Sequence, residues 1–98
     1  MTGEQFSAAE AHRIGLVNKV VPAKRVMEEA RRYAEVICEN GPLAVQAVKR
    51  SVLAGSGLSL EQALEKEQEI GVAVSGSEDA VEGPRAFKEK RKPVFKGR

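Results

Sequence analysis

The chain has 98 residues, 42% of them hydrophobic and 31% charged, with no Trp, one Tyr, three Phe and a formal net charge of +2. That composition excludes a disordered tail and a collagen-like repeat, the longest apolar run of only a few residues excludes a transmembrane helix, and a chain this short buries only roughly 60–65% of its unfolded surface. Cys38 is the single cysteine, so neither an internal disulfide nor a Cys-based zinc cage is available.

Met1-Thr2-Gly3-Glu4-Gln5 shows no basic region followed by an apolar one, and with no secretory signal a cytoplasmic, reducing setting is the default expectation. Ser7-Ala8-Ala9-Glu10 has the spacing of a capping box and predicts a short helix from Ala8 to about Ile14, stopped by Gly15. Residues 16–21 are β-branched and partly alternating, which predicts a short strand or extended arm, with Pro22 placed to open the next helix. From about Ala23 to Glu39, apolar residues at 26, 30, 33, 34, 37 and 38 recur at helical spacing. This stripe predicts that Tyr33 and Cys38 lie in a core.

Asn40-Gly41 supplies a stop, and Pro42 opens a helix over about Leu43–Leu53 at its N1 position. Gly55-Ser56-Gly57 ends that helix, and Ser59-Leu60-Glu61-Gln62 is a second capping box that starts a helix to about Val74. Glu61, Glu65 and Glu69 stand at i, i+4, i+8, which reads as a solvated acidic face ahead of a carboxylate site. After Ser75-Gly76-Ser77, the acids Glu78 and Asp79 favour the positive end of a last helix to about Lys90. Gly83-Pro84 inside that helix is expected to kink or split it. The fold class is therefore all-α: about five short helices plus one short extended segment. Their narrow stripes leave apolar side chains over, so the chain is expected to pack against other polypeptide.

Charge is unevenly placed. Residues 85–98 hold seven basic side chains and one acid, while the other 84 residues hold nine basic and thirteen acidic ones. A basic end on an acidic body suits an anionic partner, whether nucleic acid, a membrane surface, an acidic protein or a phosphate-bearing small molecule, against the plainer reading of a solvated tail. His12 has no triad partner at a recognised spacing and reads as a surface residue, and no phosphate-loop, dinucleotide or metal motif occurs. No catalytic residue and no metal site are predicted. Phe87 and Lys90 are three residues apart, and with Gly83 they would share a helix face. An aromatic ring beside an ammonium suits a ligand with a base or acyl chain and phosphates, against the alternative of Phe87 as core with Lys90 snorkelling.

Three blocks then carry a resemblance. Thr2-Gly3 with Ser7-Ala8-Ala9-Glu10-Ala11-His12-Arg13-Ile14-Gly15-Leu16-Val17-Asn18-Lys19-Val20-Val21 is the first. The second is Asn40-Gly41-Pro42-Leu43-Ala44 followed by Ala47-Val48-Lys49. The third is Glu78-Asp79-Ala80, Glu82-Gly83 and Ala86-Phe87-Lys88-Glu89-Lys90-Arg91-Lys92-Pro93-Val94-Phe95. In this order they resemble the C-terminal part of the enoyl-CoA hydratase/isomerase (crotonase) family. The resemblance implies that residues 1–98 are the helical, trimerisation region of a crotonase-like α/β fold, without the ββα-spiral core that carries the oxyanion hole and the acid/base glutamates. No acid here matches those glutamates, so the resemblance implies an inactive chain when alone.

It implies hydration of a 2-enoyl-CoA as the parent reaction, a homo-oligomer (trimer or hexamer), no membrane, and an acyl-CoA substrate whose coenzyme A touches Phe87 and Lys90. Arg91 and Lys92 are next in line. Pro84 departs from the usual non-proline residue after Gly83. The competing reading is a small helical interaction module whose basic end binds nucleic acid or an acidic protein.

Overall fold

The computed structural model describes residues 3–98, and Met1 and Thr2, with the Thr2 half of the Thr2-Gly3 pair, lie outside them. Among the described residues there are five α-helices and no strand: α1 (Ala8–Arg13), α2 (Val26–Cys38), α3 (Pro42–Gly55), α4 (Leu60–Ser75) and α5 (Glu78–Lys88), with a 3-10 turn at Ala23–Arg25. Two compact units divide between Tyr33 and Ala34.

In the first unit Ser7 caps α1, its Oγ accepting from the Glu10 amide at 3.1 Å. The reciprocal half of the expected capping box is not made. The Glu10 carboxylate instead accepts from Arg13 Nε and Nη2 at 2.7 and 2.6 Å, because a guanidinium offers it a charged, two-pronged partner one turn away. At the other end Gly15, with φ +78°, turns the chain left-handed. Its amide donates to His12 O, and the Leu16 amide to Ala11 O, closing a Schellman motif. Residues 16–21 form no strand, since no second strand is present to complete a ladder. Lys19 Nζ bonds Glu29 Oε1 at 2.6 Å and so ties this irregular stretch to α2.

In the second unit Pro42 opens α3 at its first turn as expected, and Asn40 Nδ2 donates to Val36 O at 2.7 Å, satisfying an end carbonyl of α2. A four-residue connection folds α4 back along α3, with Ala63 of α4 lying against Gly55 of α3. The Ser59–Gln62 capping box is complete, each side chain meeting the other residue's backbone amide. Ser77, read from sequence only as part of a breaker, is a third serine cap, taking the Ala80 amide at 3.1 Å.

Of the kink or split expected at Gly83-Pro84, helix α5 shows no split. It runs through Pro84 without interruption. The steric conflict of a proline ring is partly with the Cβ of the residue before it, and Gly83 has none. It also ends at Lys88, two residues early, because Lys90 turns left-handed.

The fully buried apolar residues are Ala11 and Ala86 alone among those described. The chain exposes 8485 Å², whereas two separate compact bodies of the sizes of these units would together expose only about 6,500 Å². Large side chains carry much of the difference, Leu60 at 77% exposure being an example. These stripes have helical periodicity and are uncovered within the two units.

Candidate functional site

Residues 89–98, which carry most of the basic segment, are fastened back onto α5. Asp79, only 7% exposed, accepts the Lys96 and Gly97 amides at 2.7 and 2.8 Å. In return the Asp79 amide, an orphan donor of the helix's first turn, reaches Arg98 O at 3.3 Å. One turn on, Glu82 accepts the Val94 amide at 2.8 Å and holds the Arg91 guanidinium through both carboxylate oxygens, at 2.5 and 2.9 Å. The Phe95 ring fills the space between two glycines. A Cβ on Gly41 would stand 3.6 Å from it, and one on Gly83 3.8 Å. Asp79, Glu82, Gly83, Arg91 and Phe95 of the third sequence block thus share one structural task, holding the tail.

The turn between α5 and the tail carries the expected ligand pair. Lys90 donates its amide to Phe87 O, and Arg91 its amide to Ala86 O, both at 3.1 Å. This is the Schellman pattern that closes α1, with one difference: where α1 uses Gly15, α5 places Lys90 at φ +53°. An L side chain in that region costs about 1 kcal/mol relative to glycine. Phe87 is 87% exposed and therefore not core. Lys90 does not share a helix face with Phe87 and Gly83 as its spacing predicts, because Lys90 lies beyond the helix and Gly83 faces Phe95. Phe87 and Lys90 are neighbours through the backbone hydrogen bond of the turn instead.

Ion pairing sorts the basic residues of this segment. Arg85 meets Glu89, Arg91 meets Glu82 and Glu89, Lys92 meets Glu39, and Lys96 and Arg98 both meet Glu78. Among the described residues Lys88 and Lys90 have no such partner. Most of the cationic charge that suggested a nucleic-acid surface is compensated within the chain, which leaves little to neutralise a run of phosphates.

The hydrogen bonds from Arg91, and next the Val94 amide, hold the Glu82 carboxyl down at about 2. Arg32 and then Lys19 do the same for Glu29, also to about 2. A carboxyl lowered in the folded state stabilises it above the ordinary value of 4.5, and that contribution is lost as pH falls from there toward 2. The protection of the Val94 amide against hydrogen exchange is expected to be constant from neutral pH to about pH 5 and to fall below it. Protection that stays constant down to pH 2 would show that Glu82 does not hold the tail.

The remaining sequence candidates are simply placed. His12 is exposed, as expected. Glu61, Glu65 and Glu69 are exposed, Glu69 pairing with Lys66 at 2.6 Å. Cys38 and Tyr33 were expected in a core and are exposed instead, because the apolar stripe of α2 has no cover within its own units. The Arg32 guanidinium lies 4.6 Å from the Tyr33 ring centroid. No cluster of three metal-ligating side chains occurs among the described residues, and no helix there is long and apolar enough to cross a membrane.

Comparison with known proteins decides what these features belong to. A family model described as enoyl-CoA hydratase/isomerase matches residues 1–98, the whole chain. The chain belongs to the enoyl-CoA hydratase/isomerase family. It is similar to an enoyl-CoA hydratase of Mycobacterium tuberculosis, with 44% identity over all of this chain and 37% of that protein. A carnitinyl-CoA dehydratase of Proteus mirabilis shares 47% identity over all of this chain and 39% of its own length. An enoyl-CoA hydratase of Bacillus anthracis superposes with a TM-score of 0.96 at 41% identity, covering 99% of this chain and 38% of that one. The chain therefore spans well under half the length of these relatives, and its helices have the arrangement of a portion of the enoyl-CoA hydratase/isomerase fold.

Proposed function

We propose that this chain is the C-terminal helical region of an enzyme that adds water to a 2-enoyl-CoA, supplying subunit contacts and part of the coenzyme A site. The observation that carries the reading is that the family model matches the whole of this chain while the chain covers only 37–39% of its relatives. Two of those relatives are named for adding or removing water on a CoA thioester. The excess apolar surface supports a role in covering other polypeptide, either the remainder of the crotonase-like core or a neighbouring subunit of a trimer or hexamer. This reading places the enzyme in the cytoplasm.

In this reading the acid/base groups and the oxyanion donors come from polypeptide outside residues 1–98, and the chain alone is inactive. Its own contribution is to bind. The exposed face of Phe87 packs against the apolar or aromatic part of the ligand, while the unpaired Lys90 ammonium meets phosphate. A cation near a thioester's phosphates holds the ligand in place and does not touch the reacting double bond.

Lys90→Gly tests this with effects of opposite sign. Removing the side chain relieves the left-handed turn and is expected to raise stability by about 1 kcal/mol. The same change removes the cation and is expected to weaken coenzyme A binding about fivefold. Thermal melting reads the first effect, and NMR titration of the labelled chain with millimolar coenzyme A reads the second. Chemical-shift changes that avoid residues 85–91 in the parent chain, or an affinity unaltered by Lys90→Gly, would overturn the proposed contact.

A further inference from the structure

The coenzyme A reading says which cation meets phosphate but not how that cation is held in place. Lys90 is the one non-glycine residue with positive φ among those described, and its ammonium has no internal partner there. A residue kept in an unfavourable backbone conformation needs its surroundings to over-determine it. The surroundings here are specific. Glu82 Oε1 receives both Arg91 Nη1 and the Val94 amide, and Oε2 receives Arg91 Nη2. Arg91 Nε goes to Glu89 Oε2 at 2.6 Å, and Arg91 Nη1 also reaches Lys92 O at 3.1 Å. The residues on both sides of Lys90 are thereby pinned while its own side chain stays free. The turn after α1 has the same backbone pattern with Gly15 at the left-handed position, and it has no side-chain clamp across it.

We propose that Glu82 is a positioning residue for coenzyme A binding: acting through Arg91, it fixes the left-handed turn that presents the Lys90 ammonium to phosphate. This rests on the reading that Lys90 meets the ligand. Glu82 touches neither ligand nor reacting atoms. It replaces the conformational freedom of the turn with one geometry before the ligand arrives, which is how preorganisation raises affinity. A clamp that served only to attach the tail would act on binding equally whether or not Lys90 were present.

The experiment is an NMR titration of the full chain with coenzyme A, carried out on the parent, Lys90→Ala, Glu82→Gln and the double variant. Lys90→Ala and Glu82→Gln are each expected to weaken binding about fivefold. In the Lys90→Ala background Glu82→Gln is expected to add nothing. If Glu82→Gln lowers affinity by the same factor in both backgrounds, or leaves it unchanged while Lys90→Ala weakens it, the positioning role fails and the Lys90 contact stands. If Lys90→Ala itself leaves affinity unchanged, the Lys90 contact fails and the positioning role with it.

Discussion

Asp79→Ala is expected to release residues 94–98 from the last helix. The Asp79 carboxylate accepts two backbone amides, from Lys96 and Gly97, in a position almost closed to water. Each is a charge-assisted bond, and removing the acceptor leaves both donors without a partner. The loss is expected to be about 3 kcal/mol, limited by the free energy at which the tail opens by itself. Amide exchange at Lys96 and Gly97 reads it directly, and about 3 kcal/mol corresponds to roughly a hundredfold loss of protection. Asp79→Asn keeps the shape but exchanges one acceptor oxygen for a donor, so its effect should lie between the parent and the alanine variant. Undiminished protection in Asp79→Ala would mean that the carboxylate is not the tail's anchor. Release would also free Phe95 from its place between Gly41 and Gly83, since the same stretch of tail carries the ring.

Gly55→Val is expected to force α3 and α4 apart. A Cβ at Gly55 would stand 3.3 Å from the Ala63 Cβ, already tighter than ordinary contact, and valine adds two methyl groups that must find space beside a second helix. Overpacking of this kind costs about 1–3 kcal/mol, which for a chain of this length lowers the melting temperature by several degrees. Gly71→Ala provides the contrast within the same helix pair. Nothing lies within 4 Å of the Cβ it would add, so relief of glycine's poor helix propensity should raise stability by about 0.5–1 kcal/mol. Equal melting temperatures for Gly55→Val and the parent would show that the close approach of the two helices is not needed.

Much of the candidate site was legible as a set of residues, and very little of it as an arrangement. Phe87 and Lys90 stand out in the sequence as an aromatic ring and a cation near the end of a helix. Their relation was drawn from helical spacing, however, and the structure relates them through the turn that ends the helix. The left-handed Lys90 leaves no local sign, because glycine or asparagine is the usual marker of such a turn. Glu78 and Asp79 read as first-turn acids suited to the helix dipole, and they are that. Together with Glu82 they also grip backbone and side chains 9 to 18 residues further on. Pro84 gave a clear local signal for a break that did not occur, since the glycine before it removes part of the conflict.

The sequence by itself determined where most helices begin, where α1 ends, and to which family the chain belongs. Ser7, Ser59 and Ser77 each cap an amide three residues away, Pro42 opens a helix, and Gly15 closes one, so these outcomes depend on atoms one turn apart. Tertiary structure alone decided which cations are spent on internal partners, which stay free, and which apolar stripes are covered. Cys38 and Tyr33 have the periodicity of core residues and are exposed, because periodicity specifies a face and only a packed neighbour turns that face into an interior.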